Sequence, residues 1–147
     1  MKIQLILNDM PIMVERDSVT KDENGLEYPN DCYLPDMVDG MYIPDMVKAQ
    51  TEAQSALIKH GEDLVKSYIQ KVIDDYNTAN GVRFENINNC SLYKDDTTHP
   101  HQQFCINIIA FNSLVWKEAR VLQVQVITMN PLPTDEEFLA MLPKWGV

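Results

Sequence analysis

His101-Gln102-Gln103-Phe104-Cys105-Ile106-Asn107-Ile108-Ile109-Ala110-Phe111-Asn112-Ser113-Leu114-Val115-Trp116-Lys117-Glu118-Ala119-Arg120-Val121-Leu122-Gln123-Val124-Gln125-Val126-Ile127 is an apolar run interrupted only at intervals by polar side chains. Phe104, Ile108, Phe111, Val115, Leu122 and Val126 recur at helical spacing, and Cys105, Ile109, Trp116 and Ala119 widen the stripe. A stripe this broad implies burial on more than one side, beneath a second helix and the N-terminal strands or in a subunit interface. The last seven residues alternate apolar and polar, as a strand would, but continuity from Trp116 predicts helix throughout. Thr97 or Thr98 is the expected cap, with Pro100 in the first turn, where a missing N–H costs nothing.

Working outward, residues 44–77 carry a second helical pattern. Ala53, Leu57, Leu64, Val65, Tyr68, Ile69, Val72, Ile73 and Tyr76 lie on one face, with Lys59, Glu62, Lys66, Lys71 and Asp74 among the charges opposite. Gly61 sits inside this helix at a cost of up to about 1 kcal/mol relative to Ala, so a close helix contact or a bend is expected there. Asn80-Gly81 ends it as a left-handed C-cap. Residues 82–96 read as a packed connection with one short helical piece. On the C-terminal side, Thr134-Asp135-Glu136-Glu137 is a capping box at the positive end of a short helix over 135–142, which Pro143 stops. Phe138, Leu139, Leu142 and Trp145 give that tail an apolar face that must be covered, by this chain or another.

Before Pro44 the chemistry changes to strands and turns. Ile3, Leu5 and Leu7 suggest a short strand that Pro11 should prevent from resuming. Asn24-Gly25 predicts a hairpin between Ser18-Val19-Thr20 and Leu26-Glu27-Tyr28. Tyr33-Leu34-Pro35-Asp36-Met37-Val38-Asp39 is then echoed by Tyr42-Ile43-Pro44-Asp45-Met46-Val47-Lys48. Each copy sets an aromatic and an aliphatic residue in extended conformation before a proline and an acid suited to a first helical turn. The second copy should start a helix and Gly40 should stop the first; the pair either clips onto a partner or pins the segment to the protein's own helices. The predicted class is α+β, mostly α: an N-terminal strand and hairpin region over 1–43, then a helical domain over 44–147 made of a two-long-helix antiparallel hairpin and a short C-terminal helix.

At 147 residues the chain fits one main domain. No apolar stretch approaches the roughly 20 residues of a membrane span, and Asn8-Asp9 cuts the N-terminal apolar stretch too short for a signal sequence, so no membrane role and a cytoplasmic setting are expected. Three cysteines, Cys32, Cys90 and Cys105, without framework spacing read as free thiols. A net charge of -10 disfavours nucleic-acid binding. The acid is uneven, with ten Asp and Glu against three Lys and Arg in residues 1–45.

Catalytic chemistry is not evident. His99-Pro100-His101 with Cys90 and Cys105 offers zinc-type ligands at the wrong spacing for the common patterns. Thr20, Asp22, Asn24, Gly25 and Asp31 fall on some positions of a calcium loop, but Thr stands first and Asp last where Glu is required. No phosphate-cradling glycine loop occurs, and no serine or cysteine can be set against a base from sequence. The expectation is no enzyme, no metal and no cofactor.

One resemblance bears on function. Ile73-Asp74-Asp75-Tyr76-Asn77, Gly81-Val82-Arg83-Phe84, Cys90-Ser91-Leu92-Tyr93, His101-Gln102-Gln103-Phe104, Phe111-Asn112-Ser113-Leu114-Val115-Trp116 and Pro131-Leu132-Pro133-Thr134-Asp135-Glu136-Glu137-Phe138-Leu139-Ala140-Met141-Leu142-Pro143 together resemble the C-terminal region of small tailed-bacteriophage proteins of tail-fibre assembly. The likeness spans residues 73–145 and leaves the tyrosine-proline tandem without a counterpart. It implies an accessory in building a phage tail, either a chaperone that shields fibre chains in the host cytoplasm or a small part retained in the virion tail. Its expected partner is a phage tail or tail-fibre protein, and the wide apolar faces also admit a homo-oligomer. Tyr33, Tyr42, Trp116, Phe138, Leu142 and Trp145 are the expected contact residues. The alternative is a phage-encoded inhibitor of a host nucleic-acid or defence enzyme, with the acidic N-terminal third mimicking phosphate.

Overall fold

The computed structural model describes the backbone of residues 2–7, 10–30, 32–38 and 41–146 and, within these, the side chains of all but 2–7, 10–15, 33–38, 41, 44, 46 and 49. The fold is α+β and mostly α. Among the described residues, three antiparallel hairpins come first: β1 (Lys2–Leu7) with β2 (Met10–Glu15), β3 (Val19–Lys21) with β4 (Glu27–Pro29), and β5 (Cys32–Val38) with β6 (Met41–Pro44). Four helices follow among them: α1 (Met46–Asn80), α2 (Ile87–Tyr93), α3 (Gln102–Val126) and α4 (Asp135–Ala140). Two compact units result. One holds Met1–Ile58 with Ile127–Leu132, the other Lys59–Val126 with Pro133–Val147, so the changeover falls inside α1.

In the first unit, β2 contains Pro11, opposite Ile6, so the proline does not end the strand structure as expected. In a two-stranded hairpin both strands are edges, the one place in a sheet that accepts a residue without an N–H. The Asn24-Gly25 hairpin forms with Val19, Thr20 and Lys21 opposite Pro29, Tyr28 and Glu27. Gly25 takes φ +80, and Asp22 Oδ1 accepts the Asn24 and Leu26 amides at 2.9 and 2.8 Å. The same carboxylate that suggested a calcium position is therefore the acceptor that closes the turn.

The tandem copies pair with each other. Met37 and Val38 lie opposite Tyr42 and Met41, and the register shifts between Met37 and Cys32, the stretch that holds Pro35. The first copy is thus a strand rather than an interrupted helix start, because a partner of matching sequence is available to it; Asp39 and Gly40 lie outside the described residues. The second copy does lead into α1, where Asp45 Oδ1 accepts the Val47 and Lys48 amides at 3.0 and 3.3 Å. The Tyr42 hydroxyl donates to the Glu27 carbonyl at 2.9 Å, and Arg16 forms a two-point ion pair with Glu52.

In the second unit, residues 59–80 of α1 run antiparallel to α3. Gly61 lies near Gln123, the Tyr68 and Phe111 rings are 6.1 Å apart, and Tyr76 stacks on Phe104 at 3.6 Å. Val65, Ile69 and Ile73 meet Ile108, Phe111, Val115 and Ala119 in a core that also takes in Cys90, Phe138 and Leu142. At about 1.5–3 kcal/mol per large apolar side chain removed from water, this core dominates the unit's stability. α1 ends in a Schellman turn, with Gly81 at φ +65 and the Val82 amide donating to the Asn77 carbonyl at 3.2 Å.

The start of α3 differs from the expectation. The Thr98 amide and hydroxyl both donate to Asp96 Oδ1, at 2.9 and 2.6 Å, so this side chain serves an upstream turn instead of the helix. Pro100 therefore precedes the helix, whose first bond runs from the Cys105 amide to the His101 carbonyl at 3.2 Å. The segment 121–126 is helical, as continuity with Trp116 required. In the tail, Thr134 accepts the Glu137 amide at 3.2 Å, three acids fill the first turn of α4, and the helix tightens after Ala140, two residues short of the expected end. Among the described residues no helix is long and apolar enough to cross a membrane.

Candidate functional site

The second unit presents two surfaces with distinct chemistry, and local hydrogen bonding builds both. The first is a cleft of about 370 Å³ lined by Val82, Arg83, Phe84, Glu85, Asn89, Tyr93, His99, Pro100 and His101. Its near wall hangs on α1: Asn77 pairs with both backbone groups of Phe84, at 2.7 and 3.0 Å, and Gln70 donates to the Glu85 carbonyl at 2.8 Å. Asn86 then caps α2 by accepting the Asn89 amide at 3.0 Å, and Asn89 Oδ1 accepts the Glu85 amide at 3.3 Å. The far wall is the turn before α3, tied to α2 where Gln102 donates to the Lys94 carbonyl at 3.0 Å.

Aromatic rings pack along those walls. Tyr93 and His99 are 4.5 Å apart and only 30° from parallel, Phe84 lies 5.8 Å from both His99 and Phe104, and Tyr76 stacks beneath. The His101 amide donates to His99 Nδ1 at 3.1 Å, so the His99 proton sits on Nε2. The Tyr76 hydroxyl and His101 Nδ1 are hydrogen-bonded at 2.7 Å. Burial, and secondarily the charge of Cys105, pushes the Tyr76 hydroxyl above its ordinary range.

The histidine and cysteine group singled out in the sequence does not converge. Cys90 and Cys105 are buried and hydrogen-bonded to each other, and desolvation first, then Cys105, pushes the Cys90 thiol up to about 12. Burial raises Cys105 as well. Among the described residues no three His, Cys, Asp or Glu side chains are grouped to hold a metal ion.

The second surface is the outward face of α3. Ile106, Leu114, Val121 and Val124 are 40%, 47%, 51% and 68% exposed. With Ala110 they fall within an arc of about 80° on a helix of 3.6 residues per turn, opposite the arc of Ile108, Val115 and Ala119. The helix thus carries apolar side chains on both sides, those of one side covered and those of the other exposed with Lys117 set among them. The inner stripe is the one expected from the sequence, and the outer one is an addition to it. The recurrence of Ala110, Leu114, Val121 and Val124 at multiples of three and four residues was the signal for it.

The six expected contact residues do not form one patch. Tyr33 lies in β5, its side chain outside the described set; Tyr42 is half-buried in the first unit. Phe138 and Leu142 are buried in the second unit's own core, so this chain covers the apolar tail itself. Trp145 is half-buried, its ring 5.1 Å from Phe111 and 5.9 Å from Phe104, while the Tyr68 hydroxyl donates to the Pro143 carbonyl at 2.8 Å. Trp116 is half-buried on the flank of α3. Comparison of the chain with family models, with curated proteins and with solved structures finds no match.

Proposed function

We propose that this chain is a bacteriophage tail-associated protein that works by protein–protein contact, as a tail-fibre assembly chaperone in the host cytoplasm or as a small virion component. The observation that carries the reading is the outer face of α3. Four large apolar side chains stand exposed along five turns of a helix whose opposite side is locked into a core, which is the surface expected of a protein that covers another. Trp116, half-buried on the same helix, adds aromatic area. The resemblance of residues 73–145 to tail-fibre assembly proteins selects the partner class.

The acidic inhibitor is the weaker reading. Several carboxylates of the acidic N-terminal stretch already have internal work: Asp22 closes a turn, Asp45 caps α1 and Glu27 pairs with Lys21 at 3.2 Å. A phosphate mimic needs those groups free and in rows.

Mass spectrometry of purified particles, set beside capture of the tagged chain from infected lysate, tests the proposal. A tail or fibre subunit captured from lysate, or stoichiometric copies of the chain in particles, is the expected result. Capture of a nucleic-acid or defence enzyme, released by raising salt, would overturn it.

A further inference from the structure

We propose that the cleft between the 82–89 connection and the 99–101 turn is a binding site for a single carboxylate carried on a flat apolar body. The inference does not depend on the assembly role. It rests on which polar atoms the fold leaves unspent.

Among the described residues, the Arg83 guanidinium has no hydrogen bond or ion pair, although it lines the cleft beside a carboxylate, Glu85. His99 has its Nδ1 occupied by the His101 amide, so Nε2 is a donor, and it has no partner among the described residues. Asn89 has its Oδ1 occupied by the Glu85 amide, which leaves its NH₂ group likewise a donor. The backbone has therefore consumed the acceptor end of two side chains and left their donor ends with the guanidinium. Such a set is complementary to an anion, and the planar fork of arginine matches a carboxylate.

Charge fixes the valence. Arg83 and Glu85 cancel in the lining, so an added anion is held by the donors and not by net positive charge, which favours a singly charged carboxylate over a doubly charged phosphate. Shape fixes the body. The near-parallel Tyr93 and His99 rings, with Phe84 at the base, offer flat apolar surface beside the donors, and the volume lies at the small end of ligand sites. A free aromatic acid and the carboxyl terminus of a polypeptide ending in an aromatic residue both carry this chemistry.

Calorimetric titration of the full chain with four probes separates the sources: benzoate, N-acetyl-Gly-Phe with a free carboxylate, the same dipeptide as its amide, and inorganic phosphate. The acids should bind and the amide should bind roughly ten- to a hundredfold more weakly, as expected for loss of a charge-assisted hydrogen bond. Arg83→Gln should weaken the acids by a similar factor and leave the amide unchanged. Arg83 is exposed and holds nothing in the fold, so an unchanged aromatic circular dichroism spectrum will certify the variant. Tighter binding of the dipeptide acid than of benzoate assigns the site to a polypeptide terminus, and the reverse to a small acid. Failure of both acids to bind, equal binding of acid and amide, indifference to Arg83→Gln, or phosphate binding as tightly as the acids would each overturn the proposal.

Discussion

Gly61 shows how a local rule and its surroundings combine. Glycine inside a helix costs up to about 1 kcal/mol relative to alanine and usually implies that something lies too close for a side chain. Here a Cβ would meet Phe138 Cζ at 3.6 Å and Gln123 Nε2 at 3.7 Å, which is ordinary contact. Gly61→Ala should therefore be accommodated and should raise stability by up to about 1 kcal/mol in urea unfolding; destabilisation would mean that the helices approach more closely. Cys90 supports a prediction of opposite sign. Burial pushes its thiol up to about 12, above the ordinary value near 9.0, and Cys105 and Tyr76 are raised as well. The folded state therefore keeps protons that the unfolded chain has released. Their contribution is fully present below pH 9 and falls as pH rises from there towards about 12, which denaturant midpoints across that range will show. In the native state at pH 8, a thiol reagent should modify neither Cys90 nor Cys105 at an appreciable rate.

At the level of elements, stability is concentrated where α1, α3 and the tail meet. Ile108 is fully buried in that core, and Ile108→Ala should cost about 2–5 kcal/mol. Thr134→Ala removes one cap from a six-residue helix and should cost about 0.5–2 kcal/mol. Melting curves of both variants will separate the two scales. α1 and α4 were legible because they carry their own punctuation, Asp45 and Gly81 at the two ends of α1 and Thr134 at the start of α4, and α3 by its 3.6-residue apolar period. The Asn24-Gly25 hairpin was legible for the same reason. What escaped sequence reading was competition between neighbours. Thr98 has the right chemistry for a cap, but Asp96 two residues earlier accepts both of its donors. The first tandem copy has the right chemistry for a helix start, but the second copy pairs with it. Pro11 is tolerated because a two-stranded hairpin has no interior strand.

Across the whole molecule, the apolar residues divide into those the chain satisfies itself and those it leaves. The tail belongs to the first kind: Phe138 and Leu142 are buried and Trp145 packs on Phe111, so residues that looked like contacts turn out to close the second unit. The outer face of α3 belongs to the second kind. From composition the two kinds are indistinguishable, because whether a stripe is covered depends on which element packs against it. The cleft was equally hidden, since its donors are set by side chain to backbone bonds that no spacing encodes. On the function proposed above the outer face of α3 is the working surface, and partner capture by a Leu114→Asp, Val121→Asp double variant tests that assignment. Both positions are about half exposed, so the variant should keep the wild-type circular dichroism spectrum and melting temperature. Quantitative mass spectrometry of tagged chain recovered from infected lysate should then show the bound subunit reduced at least about tenfold, at unchanged recovery of the bait. Undiminished capture by the folded variant would mean that the partner is held by another surface.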